Sequence, residues 1–324
     1  MTAFLETLLE RARRGHRRLV LSEGDDGRVR DAARAMAASG LAAVTVLGGE
    51  SAVAWARLEA PDVVVTTPAS DPRLGAVADL LAARKPDKVP DRRTALALAG
   101  DPLRFAAGLV ALGEADATVG GAAHVTADVL RAALWAVGPA AGITTVSSCF
   151  YMVPPNAGVL TFADCGVVQY PTAEQLAEIA VAAARDRRRV VGDEPVVAFL
   201  SHSTRGSAEG DSITKVRAAL ARFREMEPAI AADGELQGDA ALAPAVAARK
   251  APDSAVAGRA NVLVFPDLDS GNIAYKLVQR IAQARALGPI VQGLRRPCSD
   301  LSRGATADDI VLVCAIALLQ SSVA

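Results

Sequence analysis

The sequence predicts a two-domain α/β protein whose sheets are largely parallel and covered by helices. Short β-branched runs alternate with longer amphipathic stretches almost throughout, the pattern of parallel strands layered by helices. The chain has 324 residues, more than the roughly 250–300 at which a single core stops growing, so two domains are expected. Abundant alanine and only 4% aromatic residues suit thin helices packed closely on a sheet.

Taken in order, the pattern opens with a helix over 3–14, a strand at "RLVLS", a helix over 27–38 and strands at "AAVTVLG" and "DVVVTT". Helices over 73–84 and 101–112 follow, then the strand "ATVGG" and a helix over 125–137. The polar stretch "PDKVPDRR" (86–93) between two of these helices reads as a surface loop. Further on come strands "ITTVSSCFYM", "VLTFA", "PVVAFLS", "NVLVF" and "PIVQGL", with helices over 173–188, 212–226, 271–284 and 307–320. Thr172 and Gln175 have capping-box spacing at the start of one of them. The last helix follows a strand, so the C-terminus is expected to return to the first domain. The division reads as 1–147 plus 291–324 for a discontinuous first domain and 148–290 for the second.

Charge and composition exclude several function classes. A formal net charge of −1, from 35 basic and 36 acidic residues, gives no overall field to hold nucleic acid or an anionic membrane. No stretch approaches the roughly 20 apolar residues of a membrane span, and the N-terminus has its acids early and its basic run late, the wrong order for a signal peptide. The expectation is a soluble, cytoplasmic protein. Four scattered cysteines and three histidines form no metal-ligand spacing, so no metal is expected and the thiols read as buried and reduced. P-loop, dinucleotide, nucleophile-elbow and zinc-helix motifs are missing from the sequence.

Five polar clusters follow strands, the position where ligands sit in open α/β sheets: "EGDDGR" (23–28), "GGAAHVTADVLR" (120–131), "SHSTRGS" (201–207), "FPDLDSGNIAYKLVQR" (265–280) and "CSDLSRGATADD" (298–309). In the fourth, Gly271 and Asn272 open a helix that then carries Lys276 and Arg280 four residues apart, two cations on one face. Asn272, Lys276 and Arg280 are therefore candidate substrate-binding residues. In the fifth, a Ser-Arg-Gly loop feeds a helix N-terminus, whose free amides suit an anion.

With these clusters in order, the sequence resembles the phosphotransacetylase (phosphate acetyltransferase) family in its short single-module form. The likeness runs through nearly the whole chain and is strongest from 261 to 310, in "NVLVFPDLDSGNIAYKLVQR" and "GPIVQGLRRPCSDLSRGATADDIV"; "DGELQGDAAL" and "FADCGVVQYPTAEQLAEIA" also match. The resemblance implies an isocitrate/isopropylmalate dehydrogenase-like fold, two α/β domains with an interdomain cleft, and a homodimer. It implies reversible acetyl transfer between acetyl-CoA and inorganic phosphate, giving acetyl phosphate and CoA, with no cofactor because coenzyme A is itself a substrate.

Position by position, the family's catalytic serine, arginine and aspartate fall on Ser302, Arg303 and Asp309, and its coenzyme A arginines on Arg84, Arg131 and Arg280; Arg28 matches an arginine of structural purpose. The sequence departs from the family pattern at Ser299, often asparagine there, at Ala305, often cysteine, and at Gln169–Tyr170.

The simplest route the resemblance implies is direct attack of the coenzyme A thiolate on the acetyl carbonyl. Asp309 is the implied base. A free Asp near 3.9 and a thiol near 8.5 differ by about 4.6 pKa units, roughly 6 kcal/mol of unfavourable transfer that the protein must narrow. Ser302 suits a hydrogen bond to the carbonyl oxygen rather than acylation, since no histidine or lysine stands in the motif to activate it. Arg303 suits a bidentate grip on the phosphoryl group. Thr306 and Asp309 also have capping-box spacing, which conflicts with a base; the expected resolution is that Asp308 serves the helix dipole while Asp309 turns to the cleft. Alternatives are a phosphate butyryltransferase-like enzyme, a non-catalytic acyl-CoA-sensing module, and a metal-dependent decarboxylating dehydrogenase, for which no aspartate set is found.

Overall fold

The computed structural model describes residues 3–155 and 157–321. The chain divides into two compact units, Met1–Ala141 with Leu294–Ala324, and Gly142–Gly293. The first unit opens with α1 (Ala3–Arg13), β1 (Arg18–Leu21), α2 (Gly27–Ala38), β2 (Ala43–Leu47), α3 (Glu50–Glu59) and β3 (Val64–Thr66). It continues through α4 (Leu74–Arg84), α5 (Arg92–Ala99), α6 (Pro102–Ala111), β4 (Ala117–Gly120) and α7 (Thr126–Ala136). The second unit holds β5 (Ser147–Val153), β6 (Leu160–Ala163), α8 (Ala173–Val190), β7 (Val196–Leu200), α9 (Asp211–Met226) and β8 (Ala231–Leu236). It is completed by α10 (Gly238–Leu242), α11 (Pro244–Lys250), β9 (Val262–Val264), α12 (Leu268–Ile281) and β10 (Arg285–Gln292). The chain then re-enters the first unit as β11 (Cys298–Asp300) and α13 (Ala307–Gln320).

The sheet of the first unit has the order β11-β4-β1-β2-β3, with every pairing parallel. Strand order reverses at β1, which has β2 on one side and β4 on the other, so the loops after β1 and β4 flank a topological switch point. Helix α13 closes this layer. Its residues Ile310 and Leu312 through Leu319 are buried, as a helix apolar on all sides requires, and it packs on α1, α2, β4 and β11. Truncating one of its large residues, such as Ile316 at 0% exposure, removes about 2–5 kcal/mol by loss of transfer energy and opening of a cavity.

The second sheet has the order β10-β5-β6-β9-β7-β8 and is mixed. β6, β9, β7 and β8 run parallel, but β5 pairs antiparallel with both β6 and β10. The expectation of largely parallel sheets fails here for a local reason. Only residues 154–159 join β5 to β6, too few for the crossover that a parallel pair needs.

The division between the units also falls differently from 148–290. Residues 142–147 go with the second unit because the Thr144 and Thr145 amides donate to Glu178 on α8, at 3.3 and 2.8 Å. At the other end, Gln292 pairs with Ser147 as the last rung of β10 on β5. The polar stretch after α4 ends at Asp91, which caps α5 through the Thr94 amide at 2.7 Å. No single helix among the described residues is long and apolar enough to cross a membrane.

Candidate active site

At the carboxyl ends of the first sheet, β1 leads into Ser22–Asp26, β4 into Gly121–Val125 and β11 into Leu301–Thr306. A pocket of about 580 Å³ opens there, lined by Glu23, Asp25, Asp26, Thr67 and His124 together with backbone of Gly24, Gly48 and Gly49. Glu23 fixes the β4–α7 loop from across the switch point. Its carboxylate accepts the Ala122, Ala123 and His124 amides at 2.7, 2.9 and 3.0 Å, and His124 Nδ1 meets its Oε1 at 2.6 Å. Three successive amides in the loop before α7 form a nest for an anion, and this protein fills it with its own side chain.

Arg28, on the first turn of α2, ties the same loop to the segment after β11. Its guanidinium donates to the Arg303 and Ala305 carbonyls at 2.7 and 2.9 Å and to the Ala122 carbonyl at 3.0 Å. Asp26 holds that guanidinium in place at 2.7 Å and raises its pKa. Five donors in one rigid plane let a single arginine brace two loops, which a lysine could not do. A second tie runs from the Thr126 hydroxyl to Asp300 Oδ2 at 2.6 Å.

Asp300 itself is fully buried, and its Oδ1 has no hydrogen-bond partner among the described residues. Burial pushes its carboxyl up to about 6, with the nearby Glu23 charge adding to the effect and Thr126 opposing it. Gly121 is required beside it: with φ at +100°, a Cβ there would lie 2.2 Å from Asp300 Oδ1.

The "SRG" loop leaves Ser302 and Arg303 exposed, with Ala305 buried beneath. A turn closes it from the Ala305 amide to the Ser302 carbonyl at 2.8 Å. Asp309 takes the capping box of α13: its Oδ2 accepts from the Thr306 amide at 3.1 Å and the Thr306 hydroxyl at 2.8 Å, while its own amide donates back to that hydroxyl at 3.2 Å. The expectation that Asp308 would take the helix end and release Asp309 is thus corrected. Asp309 stands three residues after Thr306, the spacing that lets the two close a reciprocal pair, and Asp308 stays exposed.

Arg84 and Arg131 are both tied to α7. Arg84 donates to the Val137 carbonyl at that helix's C-terminus, at 3.0 Å. Burial, with the like charge of Arg295, lowers its pKa, so an anion placed there would relieve both burdens. Arg131 is half exposed and paired with Asp128 at 2.7 Å.

Asn272, Lys276 and Arg280 belong to the second unit, on α12. The Asn272 amide donates to the Cys165 carbonyl at 3.0 Å, so its side chain anchors the helix. Lys276 lies 5.6 Å from the centre of the Tyr275 ring, which stacks on Phe150 at 4.0 Å. Arg280 is exposed in the last turn, where the helix dipole favours a cation.

Sequence reasoning did not recognise Glu23, whose partners lie 99 to 101 residues away, or Asp300, whose charge is shaped by burial. All four cysteines are free and buried, and burial pushes their thiols up, Cys298 to about 12.

Residues 3–318 match the phosphate acetyl/butaryl transferase family. The chain belongs to that family. It is 45% identical to the phosphate acetyltransferase of Paracoccus denitrificans over 322 residues, 98% of this chain and 99% of that one. Among solved structures, a phosphotransacetylase from Streptococcus pyogenes superposes with a TM-score of 0.92 at 38% identity, covering 99% of both chains. A 4-hydroxythreonine-4-phosphate dehydrogenase from Klebsiella pneumoniae, 14% identical with a TM-score of 0.53 over 95% of this chain and all of that one, shares the fold alone. The family's two-domain, dehydrogenase-like α/β architecture is therefore that of this chain.

Proposed function

We propose that this protein is a phosphate acetyltransferase, moving an acetyl group reversibly between coenzyme A and inorganic phosphate. The observation that carries this reading is likeness along the whole chain, 45% identity across 98% of it, to a protein of that activity. The substrates are acetyl-CoA or CoA, phosphate and acetyl phosphate, and the residues assigned below need no metal or organic cofactor. The buried free thiols suit work in the reducing cytoplasm.

In the proposed reaction the coenzyme A thiolate attacks the acetyl carbonyl directly. Arg303, exposed beside the braced turn, grips the phosphoryl group with its planar fork. Ser302 donates to the carbonyl oxygen as charge gathers there. Asp309 receives the thiol proton, which requires its pair with Thr306 to open. Arg84 and Arg131 hold the phosphates of coenzyme A, supported by the setting of Arg84, where burial and the like charge of Arg295 leave a cation that an anion would relieve. On α12 of the second unit, Asn272, Lys276 and Arg280 are assigned to substrate binding as the family pattern implies. We also propose a homodimer. Ile273, Leu277 and Ile281, 58, 52 and 79% exposed, recur every four residues on α12 and form the apolar stripe that a second copy would cover.

The deciding experiment is release of free thiol from acetyl-CoA by the purified chain with and without phosphate; no phosphate-dependent release overturns the reading. Comparison of acetyl, propionyl and butyryl phosphates then sets the acyl range. Asp309→Asn keeps an oxygen for the cap but loses the base, so turnover is expected to fall by about 10²-fold or more. Arg84→Ala and Arg131→Ala are expected to raise KM for coenzyme A, and a fall in turnover alone would remove them from that role.

A further inference from the structure

The acetyl transfer has two proton tasks, and Asp309 accounts for one. Acetyl phosphate and the thiol form the thioester and hydrogen phosphate, so the proton lost from sulfur must be matched by one gained on the phosphate oxygen. We propose that His124, oriented by Glu23, supplies that second proton. The inference rests on the proposed acetyl transfer and adds a residue to it.

Three placements carry it. Both Glu23 oxygens accept amide hydrogens, so the ring nitrogen meeting Oε1 at 2.6 Å is the one that carries a hydrogen. That leaves Nε2 as the nitrogen that exchanges a proton. The imidazole is part exposed, 38%, against 4% for the Glu23 side chain, and it lines the 580 Å³ pocket at the switch point. Finally, the loop bearing it is fastened on both sides to the segment bearing Ser302 and Arg303. On one side Arg28 joins Ala122 to Arg303 and Ala305; on the other Thr126 joins Asp300. His124 lies between those two fastenings. A buried carboxylate that fixes a histidine's tautomer and steadies its cationic form is the arrangement proton-transfer sites use. Glu23 acts through His124 and is a positioning residue.

Toward acetyl-CoA, the thiol proton passes to Asp309 as the sulfur–carbon bond forms. The bond from acetyl carbon to phosphate oxygen breaks with its electron pair on oxygen, and that oxygen takes the Nε2 proton of the His124 cation. Solvent then reprotonates His124 as Asp309 gives up its proton. In reverse, neutral His124 takes the proton from hydrogen phosphate as it attacks the thioester. Of the charged groups, Glu23 meets the imidazole and Asp25 and Asp26 line the same pocket; the elements joined to the His124 loop also carry Arg28, which holds the Ala122 carbonyl, Asp300, which holds Thr126, Arg303 in the segment after β11, and the Asp128–Arg131 pair on α7.

The test is to follow turnover against pH in both directions for wild type, His124→Asn and His124→Gln. Both substitutions keep an N–H to offer Glu23 and lose the nitrogen that exchanges the proton. The wild type is expected to lose acetyl-CoA formation, and to gain acetyl phosphate formation, as rising pH takes the proton from His124. In both variants turnover should fall about 10²-fold or more, with KM little changed and that opposed pair of limbs gone. Substrate ionisation is common to all three proteins, so the difference between profiles is the readout. Should the variants fail to fold, diethyl pyrocarbonate on the wild type replaces them: activity is expected to fall in step with acylation of His124, mapped by mass spectrometry, and inorganic phosphate to protect both. Full turnover with unchanged limbs in the variants, or with His124 fully acylated, overturns the proposal while the acetyl transfer stands. A wild type without phosphate-dependent thiol release overturns both.

Discussion

Two buried acids, Asp300 in the first unit and Glu235 in the second, stand at the ends of strands and are pushed in opposite directions. Glu235 receives the Arg217 guanidinium on both oxygens at 2.7 and 2.9 Å, the Ser203 hydroxyl at 2.8 Å and the Gly206 amide at 2.9 Å. Those donors, Arg217 first, hold it at about 2. Asp300 has the Thr126 hydroxyl on one oxygen and, among the described residues, no ion pair, and burial takes it to about 6. Burial alone does not decide a carboxylate's charge; the supply of donors does. The second unit therefore uses its acid as a permanent structural anion, whereas the first keeps beside its candidate site an acid that changes charge near neutral pH.

The largest expected effect comes from breaking the better-supplied pair. Arg217→Ala removes the first donor that holds the Glu235 charge and should lower the urea midpoint at pH 7. An unchanged midpoint would mean that the guanidinium does not hold the acid, and the contrast would fall.

Next comes the opposed pH dependence. Unfolded Glu235 titrates near 4.5 and folded near 2, so its stabilisation is present above pH 4.5 and is lost as pH falls toward 2. Asp300 titrates near 3.8 unfolded and near 6 folded. Between those values the folded chain holds a proton that the unfolded chain has released, so stability falls as pH rises from about 4 to 6, by on the order of 3 kcal/mol. Asp300→Asn should abolish that fall and leave the protein about 2 kcal/mol more stable than wild type at pH 7. Equal slopes in the two proteins would mean Asp300 is not the group responsible.

The smallest effect concerns Asp309, a half-buried acid whose Oδ2 accepts from the Thr306 amide and hydroxyl. Thr306→Ala should cost about 1 kcal/mol as a lost cap. Since it releases Asp309, turnover should be retained or increased, in contrast to Asp309→Asn. A fall in turnover as large as that of Asp309→Asn would make the capping box itself the functional feature.

Much of this organisation could be read from residue order, within limits set by range. The β-branched runs that became β1, β2, β4, β7 and β9 announce themselves, and the boxes Thr172–Gln175 and Thr306–Asp309 are local spacings that the backbone honours. β8, spelled "AADGEL", and the three-residue β11 carry no apolar run; they are strands because a neighbour offers a free edge. Ser302, Arg303 and Asp309 stood out as one contiguous motif. Glu23 was easily taken for the acidic start of α2, because only folding brings it to amides some hundred positions on. The competition for Asp309 was visible in advance, but its outcome was misjudged, since Thr306 and Asp309 stand at the spacing that closes a reciprocal pair at a helix N-terminus.

The return of β11 and α13 to the first unit has a consequence for synthesis. About 150 residues of the second unit, Gly142–Gly293, separate the early part of the first from the pieces that complete it. As the chain leaves the ribosome, the second unit has all its strands before the first has its edge strand or its most apolar helix. Until α13 arrives, the faces of α1 and α2 that it covers stay open to chaperones and proteases. Prior folding of the inserted unit shortens the span that must then close. A nascent chain stopped before residue 294 therefore displays an uncovered apolar surface, which marks it as unfinished to the cell's degradation machinery.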